Sequence, residues 1–295
     1  MVNRAPASAS RDGDSAYPLK RFVVDVLAAN DGPLPVSALV ETGRWFGFRE
    51  GSVRVCLSRL VGHGLLEVHD RHARAEYGFT RVADRFNREI RERVWFDQRR
   101  RWSGRWLLLV ATGGTAPREV REQTARELRA LHLRPIHAGV WARPANVTLT
   151  LGPIAATFNA SGGLADVLVA RPDDGAALAA RVNELWQIEP LAERMRAELD
   201  VLDASRARLG QAPRETALVE TLRVGTRAFR LVASDPLLPL ELLPSDWPGE
   251  RLRCAVIDYN HLACDLWADV EFSNPARNPH PHRVRTRIRM RRPRR

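Results

Sequence analysis

The 295-residue sequence contains a single lysine, Lys20, three cysteines and no long apolar run. The cysteines, at positions 56, 254 and 264, form neither a metal-ligand pair nor a disulfide framework, which indicates a reducing compartment. No segment approaches the roughly 18 consecutive apolar residues of a membrane span. Residues 1–16 lack the apolar centre of a signal peptide. These absences predict a cytoplasmic protein with a flexible leader and no membrane association.

Positive charge is concentrated at the end of the chain. Residues 271–295 contain nine arginines and one acid, Glu271, and so account for +8 of the net charge of +11. The rest of the chain is only mildly basic, so its net charge is weak evidence for nucleic-acid binding. We expect the Arg-rich tail to be disordered and solvated. A non-specific DNA tether and a shifted reading frame are the alternatives.

Residues 49–64 have the pattern of an amphipathic helix. The apolar residues at helical spacing are Val53, Leu57, Leu60 and Val61. Two strand-like segments, 65–69 and 77–80, follow, with a charged turn between them. A helix followed by a basic hairpin is the layout of a winged helix-turn-helix, which places a helix in the DNA major groove and basic side chains near phosphates.

Polar residues on the other face of this helix and in the hairpin are the candidate DNA contacts. They are Arg49, Ser52, Arg54, Ser58 and Arg59 in the helix, and Arg71, His72 and Arg74 in the hairpin. Arg54 and Ser58 are four residues apart and share a face. Arginine can read guanine bidentately, and serine can contact bases or phosphates. The alternative is a solvated helix face and a plain charged turn.

The patterns along the chain predict three folded domains and the α+β class. The predicted segments are a leader (1–16), a winged-helix domain (17–80), a charged linking helix (81–101), a ferredoxin-like central domain (102–172), a helical C-terminal domain (173–270) and the tail (271–295). Within the first domain we expect helices at 18–29 and, capped by Ser37, at 37–42. Helices are also expected at 175–209, at 214–233 and from Leu252 to Val270.

The central domain is predicted from its order of elements, strand–helix–strand–strand–helix–strand. The expected strands are 105–111, 135–141, 147–151 and 167–170. Thr112–Ala116 is expected to be a turn, with Pro117 beginning a helix. Gly113 and Gly114 could cradle a phosphate on helix amides. They lack the Gly-Lys-Ser/Thr ending of a P-loop, which favours a plain turn.

Several segments resemble the PaaX-type repressors. They are 52–60 with Gly64-Leu65-Leu66, Gly104-Arg105-Trp106, Gly139-Val140-Trp141, and 238–249, which ends in Asp246-Trp247-Pro248-Gly249. The first is similar to the family's DNA-reading helix and the last to its C-terminal signature. The resemblance extends from Tyr17 to Val270. In the DNA-reading helix, Val55-Cys56 stands where the family usually has smaller or more polar residues.

The resemblance implies a bacterial repressor of aromatic-acid catabolism that leaves double-stranded operator DNA when it binds an aryl-CoA, typically phenylacetyl-CoA. A helix-turn-helix protein of this kind is expected to act as a homodimer, without cofactor, metal or catalytic residues. The family's central domain resembles a CRISPR-associated nuclease that carries an acid at the end of its first strand. This chain has Leu109-Val110-Ala111-Thr112-Gly113 there. A metal-dependent nuclease and a constitutive DNA-binding protein are the alternatives.

An aryl-CoA needs an apolar slot for its ring and cations for its phosphates. The candidates beside the family motifs are Arg105, Trp106, Trp141, Arg143, Trp247 and Arg251. For the tryptophans the alternative is core packing. Asp246 is expected to cap the last helix rather than contact a ligand. His63, His69 and His72 lack nearby Cys or carboxylate spacing for a metal and are interpreted as solvated or capping residues.

Overall fold

A computed structural model describes residues 17–30, 32–71, 74–173, 175–268 and 270. It confirms the α+β class, because helices accompany two small antiparallel sheets. The described residues form two compact units. One unit contains residues up to Arg88, Arg208–Thr226 and residues from Asn260 onward; the other contains Glu89–Ala207 and Arg227–Tyr259. The predictions for the leader 1–16 and the tail 271–295 fall outside the described residues.

The first unit contains the predicted winged helix-turn-helix. Its elements are α1 (Leu19–Asn30), β1 (Leu34–Pro35), α2 (Val36–Trp45), α3 (Glu50–Gly62), β2 (Leu66–Arg71) and β3 (Arg74–Phe79). The sheet has the order β1-β3-β2, with both neighbouring pairs antiparallel. The three helices and the hairpin therefore have the arrangement that the apolar spacing predicts.

The apolar faces of α1, α2 and α3 meet in one core. Phe22 and Val23 of α1, Leu39 of α2, and Val53 and Leu57 of α3 are fully buried there. Gly43 allows α2 to approach α3, because a Cβ at this position would lie only 3.1 Å from Val53 Cγ2. Leu222, from later in the chain, also packs on this core. The orientation of α3 is thus fixed by its buried side.

Two boundaries in the first unit differ from the predictions. Helix α2 begins at Val36 after Pro35 and has no side-chain cap, so Ser37 does not cap it. The helix continues to Trp45 because Thr42 and Gly43 are buried and remain part of its packed face. The hairpin strands are longer than predicted and pair as far as Arg71 and Arg74, since a solvent-exposed strand face accommodates charged residues.

The linking helix is shorter than predicted. Helix α4 spans Arg81–Trp95 instead of extending to residue 101. Beyond its end, the Arg99 backbone N–H donates to Asp97 Oδ1 at 3.0 Å. This Asx turn offers the backbone an alternative to helical hydrogen bonds, which explains why residues 97–101 are not helical.

The central sheet has the predicted ferredoxin-like connectivity. Its elements are β4 (Trp106–Gly114), α5 (Arg118–Ala130), β5 (Arg134–His137), β6 (Val140–Pro144), α6 (Gly152–Ala160) and β7 (Gly163–Ala170). The strand order is β5-β6-β4-β7, and all neighbouring strands are antiparallel. This is the sheet of a split β-α-β-β-α-β unit.

Two strand predictions and one turn prediction in this sheet are wrong. The segment 135–141 is two strands, because the chain turns at Gly139 (φ 71°), where a Cβ would collide with the Ala111 carbonyl oxygen. Residues 147–151 therefore form no strand. Thr112–Gly114 continues β4 instead of turning, and Gly114 pairs with Gly163. That pairing places Gly114 in the sheet rather than in a phosphate-binding loop.

The remaining elements are mainly helical, as predicted. They are α7 (Gly175–Ala180), α8 (Val182–Trp186), α9 (Ile188–Leu209), α10 (Arg214–Ala233), a 3₁₀ turn (Leu240–Leu242) and α11 (Gly249–Trp267). The predicted helix 175–209 is interrupted at Gln187, which ends α8 in the left-handed conformation with φ 52°. The proline-dense segment before α11 is irregular apart from the 3₁₀ turn, as its composition predicts.

The Asp-Trp-Pro-Gly segment packs around a buried carboxylate. A Cβ at Gly249, the first residue of α11, would collide with Trp247 Nε1 and lie 2.6 Å from Asp235 Oδ2. Asp246 does not cap α11 as predicted; its Oδ2 accepts a hydrogen bond from Arg196 Nη2 at 2.7 Å. The glycine is thus required by close packing between the indole and Asp235.

We predict that Gly249→Ala destabilises the protein by about 1–3 kcal/mol, because the added methyl overpacks a closed site. Gly152→Ala is the matched control: Gly152 is also the first residue of a helix, and a Cβ there meets nothing within 4 Å. Urea denaturation of the two variants measures the difference. Equal midpoints for the wild type and Gly249→Ala contradict this packing account.

Candidate nucleic-acid interface

Helix α3 is buried along one side only. Its buried residues are Val53, Leu57 and Leu60. The helix candidates predicted from the sequence are all exposed: Arg49, Ser52, Arg54, Ser58 and Arg59. Arg49 stands just before the helix, where its carbonyl accepts the Val53 N–H at 3.1 Å. The structure therefore places these five side chains on one open surface, which we call the α3 face.

Val55 lies in the middle of the α3 face and was not among the predicted contacts. Its exposed fraction is 52%, which is high for a large apolar residue. Gly51 and Gly62 flank it at either end of the helix, and a Cβ at either position meets nothing within 4 Å. An exposed apolar side chain between small residues suits contact with thymine methyl groups in the major groove. Its position off the stripe of Val53 and Leu57 is the signal that could have identified it.

Arg54 is held at the start of α3 by an acid one turn earlier. Its Nε and Nη2 donate to Glu50 Oε1 at 3.0 and 2.8 Å. Arg44 Nη2 also lies 3.4 Å from Glu50 Oε2. The hydrogen bonds and charge of Arg54, followed by Arg44, keep the pKa of the Glu50 carboxyl below its usual range. An exposed pair of this kind is weak, so Arg54 can exchange the carboxylate for a base edge.

A shallow groove runs between α3 and the start of α1. It is lined by Leu19, Lys20, Gly51, Ser52, Val55, Cys56, Arg59, Leu60 and His63. Burial raises the pKa of the Cys56 thiol, although Arg59 and Lys20 oppose the shift. The groove therefore has a neutral, apolar floor with two cations beside it. Lys20 and His63 are neighbours of the α3 face that the sequence did not mark as DNA contacts.

The hairpin has the backbone geometry of a wing, but the side chains of its candidate DNA contacts lie outside the described residues. The strands β2 and β3 pair from Leu66↔Phe79 to Arg71↔Arg74. The side chains of Arg71 and Arg74, and all of His72, lie outside the described residues. Their contact with phosphate or the minor groove stays a prediction. His69, interpreted as solvated, has its Nε2 3.5 Å from Glu67 Oε1.

Two candidates for effector binding are buried in the second unit. Trp106 is 1% exposed and packs edge-to-face on Trp102, with 6.0 Å between the ring centroids. Arg143 is also 1% exposed. Its Nη1 donates to the Leu131 carbonyl at 2.8 Å and its Nη2 to the Pro236 carbonyl at 3.1 Å. Trp106 is therefore held by core packing, and Arg143 by hydrogen bonds to backbone carbonyls.

The burial of Arg143 has an electrostatic consequence. Desolvation, with Arg93 and Arg134 nearby, lowers the pKa of its guanidinium to about 9. The same surroundings, chiefly desolvation, lower the pKa of His132 to about 3. The interior here is therefore rich in positive charge, and His132 stays neutral near pH 7.

The other effector candidates are not brought into one pocket with these two. Trp141 packs in the cluster between the sheet and its helices α5 and α6. The Cζ atom of Arg129 lies 5.1 Å from the centroid of the Trp141 ring. Trp106 and Trp247 belong to the cluster on the opposite face of the sheet. The side chains of Arg105 and Arg251 are exposed. Trp106 and Trp247 therefore share one cluster, whereas Trp141 lies on the other face of the sheet and Arg105 and Arg251 are exposed.

The structure reveals a buried polar cluster beside Trp247 that sequence reasoning missed. Asp235 and Arg253 are each 3% exposed. Desolvation raises the pKa of Asp235, while the Leu237 N–H, Arg99 and Arg253 oppose the shift. Among the described residues, the three side-chain nitrogens of Arg253 make no hydrogen bond. Glu250 Oε2 lies 3.7 Å from Arg253 Nε. The signature segment therefore packs beside buried charges of both signs.

The described residues contain no cluster of three His, Cys, Asp or Glu side chains able to hold a metal. Over the same residues, no helix combines the length and apolarity needed to span a membrane.

Comparison with known proteins gives matches at both ends of the chain. Residues 22–83 match the model of the PaaX-like proteins, and residues 185–266 match that of the PaaX-like protein C-terminal domain. The first match includes α3, and the second includes the Asp-Trp-Pro-Gly segment.

Two relatives extend the likeness over most of the chain. The transcriptional repressor PaaX of Escherichia coli strain K12 is 26% identical over 272 residues, which is 89% of this chain and 83% of the relative. A solved structure of an uncharacterized Mycobacterium tuberculosis protein is 26% identical, with a TM-score of 0.59 over 84% of this chain and 96% of the other. Together with the two domain matches, these relatives confirm the predicted resemblance to the PaaX family.

Proposed function

We propose that this protein is a transcriptional repressor that binds operator DNA through the α3 face and leaves it when an aryl-CoA thioester binds. The operator would control a phenylacetate-type catabolic operon, and the protein would act in the cytoplasm without catalysing a reaction. The observation that carries the DNA-binding role is the exposure of all five predicted helix contacts on one side of α3. The repressor role is supported by the name of the Escherichia coli relative.

The chemistry of the α3 face suits a DNA duplex. Arg44 and Arg54 pair with the acid Glu50, and further cations lie along or beside the same face: Arg49, Arg59 and Lys20. Cations at the edges of a recognition helix contact phosphates and fix its register. Arg54, Val55 and Ser58 then lie where base edges are read: arginine for guanine, the valine methyls for thymine and serine for either.

Repression by this geometry is occupancy of the operator by a dimer. A dimer of helix-turn-helix domains binds two half-sites about 34–36 Å apart, or multiples of that spacing. The cationic contacts give non-specific affinity that falls with salt, whereas Arg54 and its neighbours give sequence preference. The protein blocks transcription while both half-sites are held.

Release by an aryl-CoA is a population shift. The ligand must bind the DNA-incompetent arrangement about 10⁴-fold more tightly to move the equilibrium from 1:99 to 99:1. The choice of effector rests on the family resemblance. Arg143 and Arg253 are both buried in the second unit, and guanidinium groups of this kind are able to bind the phosphates of a ligand.

We expect Arg54→Ala to weaken operator binding by about 1–3 kcal/mol, or roughly 5- to 150-fold, and to relax specificity at one base pair. Fluorescence anisotropy with the chain's own upstream DNA measures both effects when each base pair of the site is varied. Arg118→Ala is the matched control, because Arg118 forms a similar exposed i,i+4 pair with Glu122 in the second unit. Unchanged affinity and specificity in Arg54→Ala exclude Arg54 as a base-reading residue.

Phenylacetyl-CoA is expected to dissociate the protein–operator complex in a gel shift, because it removes the DNA-competent population. Coenzyme A alone and phenylacetate alone are the controls, since each supplies only part of the ligand. A complex that resists phenylacetyl-CoA and related aryl-CoA thioesters indicates a constitutive DNA-binding protein. Metal-dependent cleavage of the DNA in the same gels points instead to a nuclease.

A further inference from the structure

Val55 lies at the outermost point of α3. The buried residues of the helix, Val53, Leu57 and Leu60, form a single stripe. Because an α-helix turns by about 100° per residue, Val55 lies about 170° around the helix axis from the middle of this stripe. Its side chain therefore points directly away from the core, and it is the first to reach any surface that α3 meets.

The residues on either side of Val55 along this outer line are small. They are Gly51, one turn earlier, and Ser58 and Gly62, which follow it on the same side of the helix. A Cβ at Gly51 or at Gly62 would meet nothing within 4 Å. The two methyl groups of Val55 therefore protrude beyond the neighbouring side chains of this line, and the space around them is open to a ligand.

The groove beside α3 continues the apolar surface of Val55. Leu19 and Cys56 line it together with Val55. Cys56 is partly buried, and burial raises the pKa of its thiol, so the thiol is uncharged near pH 7. Two cations, Lys20 and Arg59, line the same groove. An apolar centre with cations beside it matches the DNA major groove, where phosphates flank the base edges.

We propose that Val55 selects a pyrimidine with a C5-methyl group at one position of each operator half-site, and that it accepts 5-methylcytosine as well as thymine. This inference rests on the proposed DNA-binding function. The C5-methyl of thymine is an apolar group exposed in the major groove, and methylation of cytosine at C5 places the same group at the same ring position. The valine side chain has no hydrogen-bonding group with which to tell the two bases apart. Operator binding is therefore sensitive to cytosine methylation.

The surroundings of Val55 favour a base methyl over a protein partner. Single exposed apolar residues are ordinary on protein surfaces, and one valine offers too little apolar area to hold a protein. It does offer enough for one methyl group, whose burial changes affinity about fourfold. Arg49, Arg54 and Arg59 are exposed around it, and cations of this kind contact the DNA backbone and base edges.

Deoxyuridine scanning of the chain's own upstream DNA tests this selection, because replacing thymidine by deoxyuridine removes only the C5-methyl. At one thymine of each half-site, the replacement is expected to weaken binding of the full-length wild type about fourfold. In Val55→Ser, which has little apolar surface to offer, the same replacement is expected to change affinity less than about twofold. Val82→Ser is the matched control and is expected to keep the fourfold loss, because Val82 is 81% exposed on α4, outside the α3 face.

Cytosine methylation provides a second measurement at the methyl-sensitive position. The T·A pair there is replaced by a C·G pair, with or without a methyl group on C5 of the cytosine. The wild type is expected to bind the methylated duplex about fourfold more tightly than the unmethylated one. Val55→Ser is expected to bind the two duplexes alike, since it lacks the apolar contact.

Failure of this inference is distinguishable from failure of the proposed function. A chain that binds its upstream DNA no better than unrelated DNA overturns both. Specific binding that is insensitive to every thymine methyl, or that loses as much affinity in Val55→Ser as in the wild type, overturns only the role of Val55. A wild type that gains nothing from cytosine methylation overturns the acceptance of 5-methylcytosine.

Discussion

The DNA-facing surface depends on the one-sided burial of α3. Val53, Leu57 and Leu60 are held in a core shared with α1 and α2, and burying three such side chains contributes about 1.5–3 kcal/mol each. Because these residues form a single stripe, the rest of the helix is left open to solvent. The buried side of the helix therefore fixes which way the exposed arginines, including Arg54, face.

The Asp-Trp-Pro-Gly segment of the second unit is part of a closely packed interior. Trp247, Gly249 and Asp235 pack so closely that an added methyl does not fit. Arg143, which the sequence analysis names as a candidate for effector binding, and Arg253 are both buried. Arg143 donates to the backbone carbonyls of Leu131 and Pro236, whereas Arg253 lies near the carboxylates of Glu250 and Asp235.

The sequence predicts elements well where one periodicity governs a long segment. Helix α10 spans Arg214–Ala233 as predicted, and the strand and helix order of the central sheet is also confirmed. Predictions fail where the local pattern is ambiguous. The turn at Gly139 is hidden in a continuous strand-like segment, because it is imposed by close contact with Ala111 in a neighbouring strand.

Some features of the candidate site could likewise be predicted from the sequence, and others could not. Exposure of the α3 contacts could be predicted because it is the complement of an apolar stripe. Val55 was missed because apolar residues are expected inside. The buried role of Arg143 was missed because its acceptors are the carbonyls of Leu131 and Pro236, distant in sequence. Such partners become visible only once the chain is folded.

Photocrosslinking tests whether the α3 face enters the major groove. A photoreactive amino acid at exposed Ser58 is compared with one at exposed Thr157 on α6, with the chain bound to its own upstream DNA. If the α3 face reads the operator, crosslinks to bases are expected from position 58 and none from position 157. Specific DNA binding without any crosslink from position 58 would contradict it.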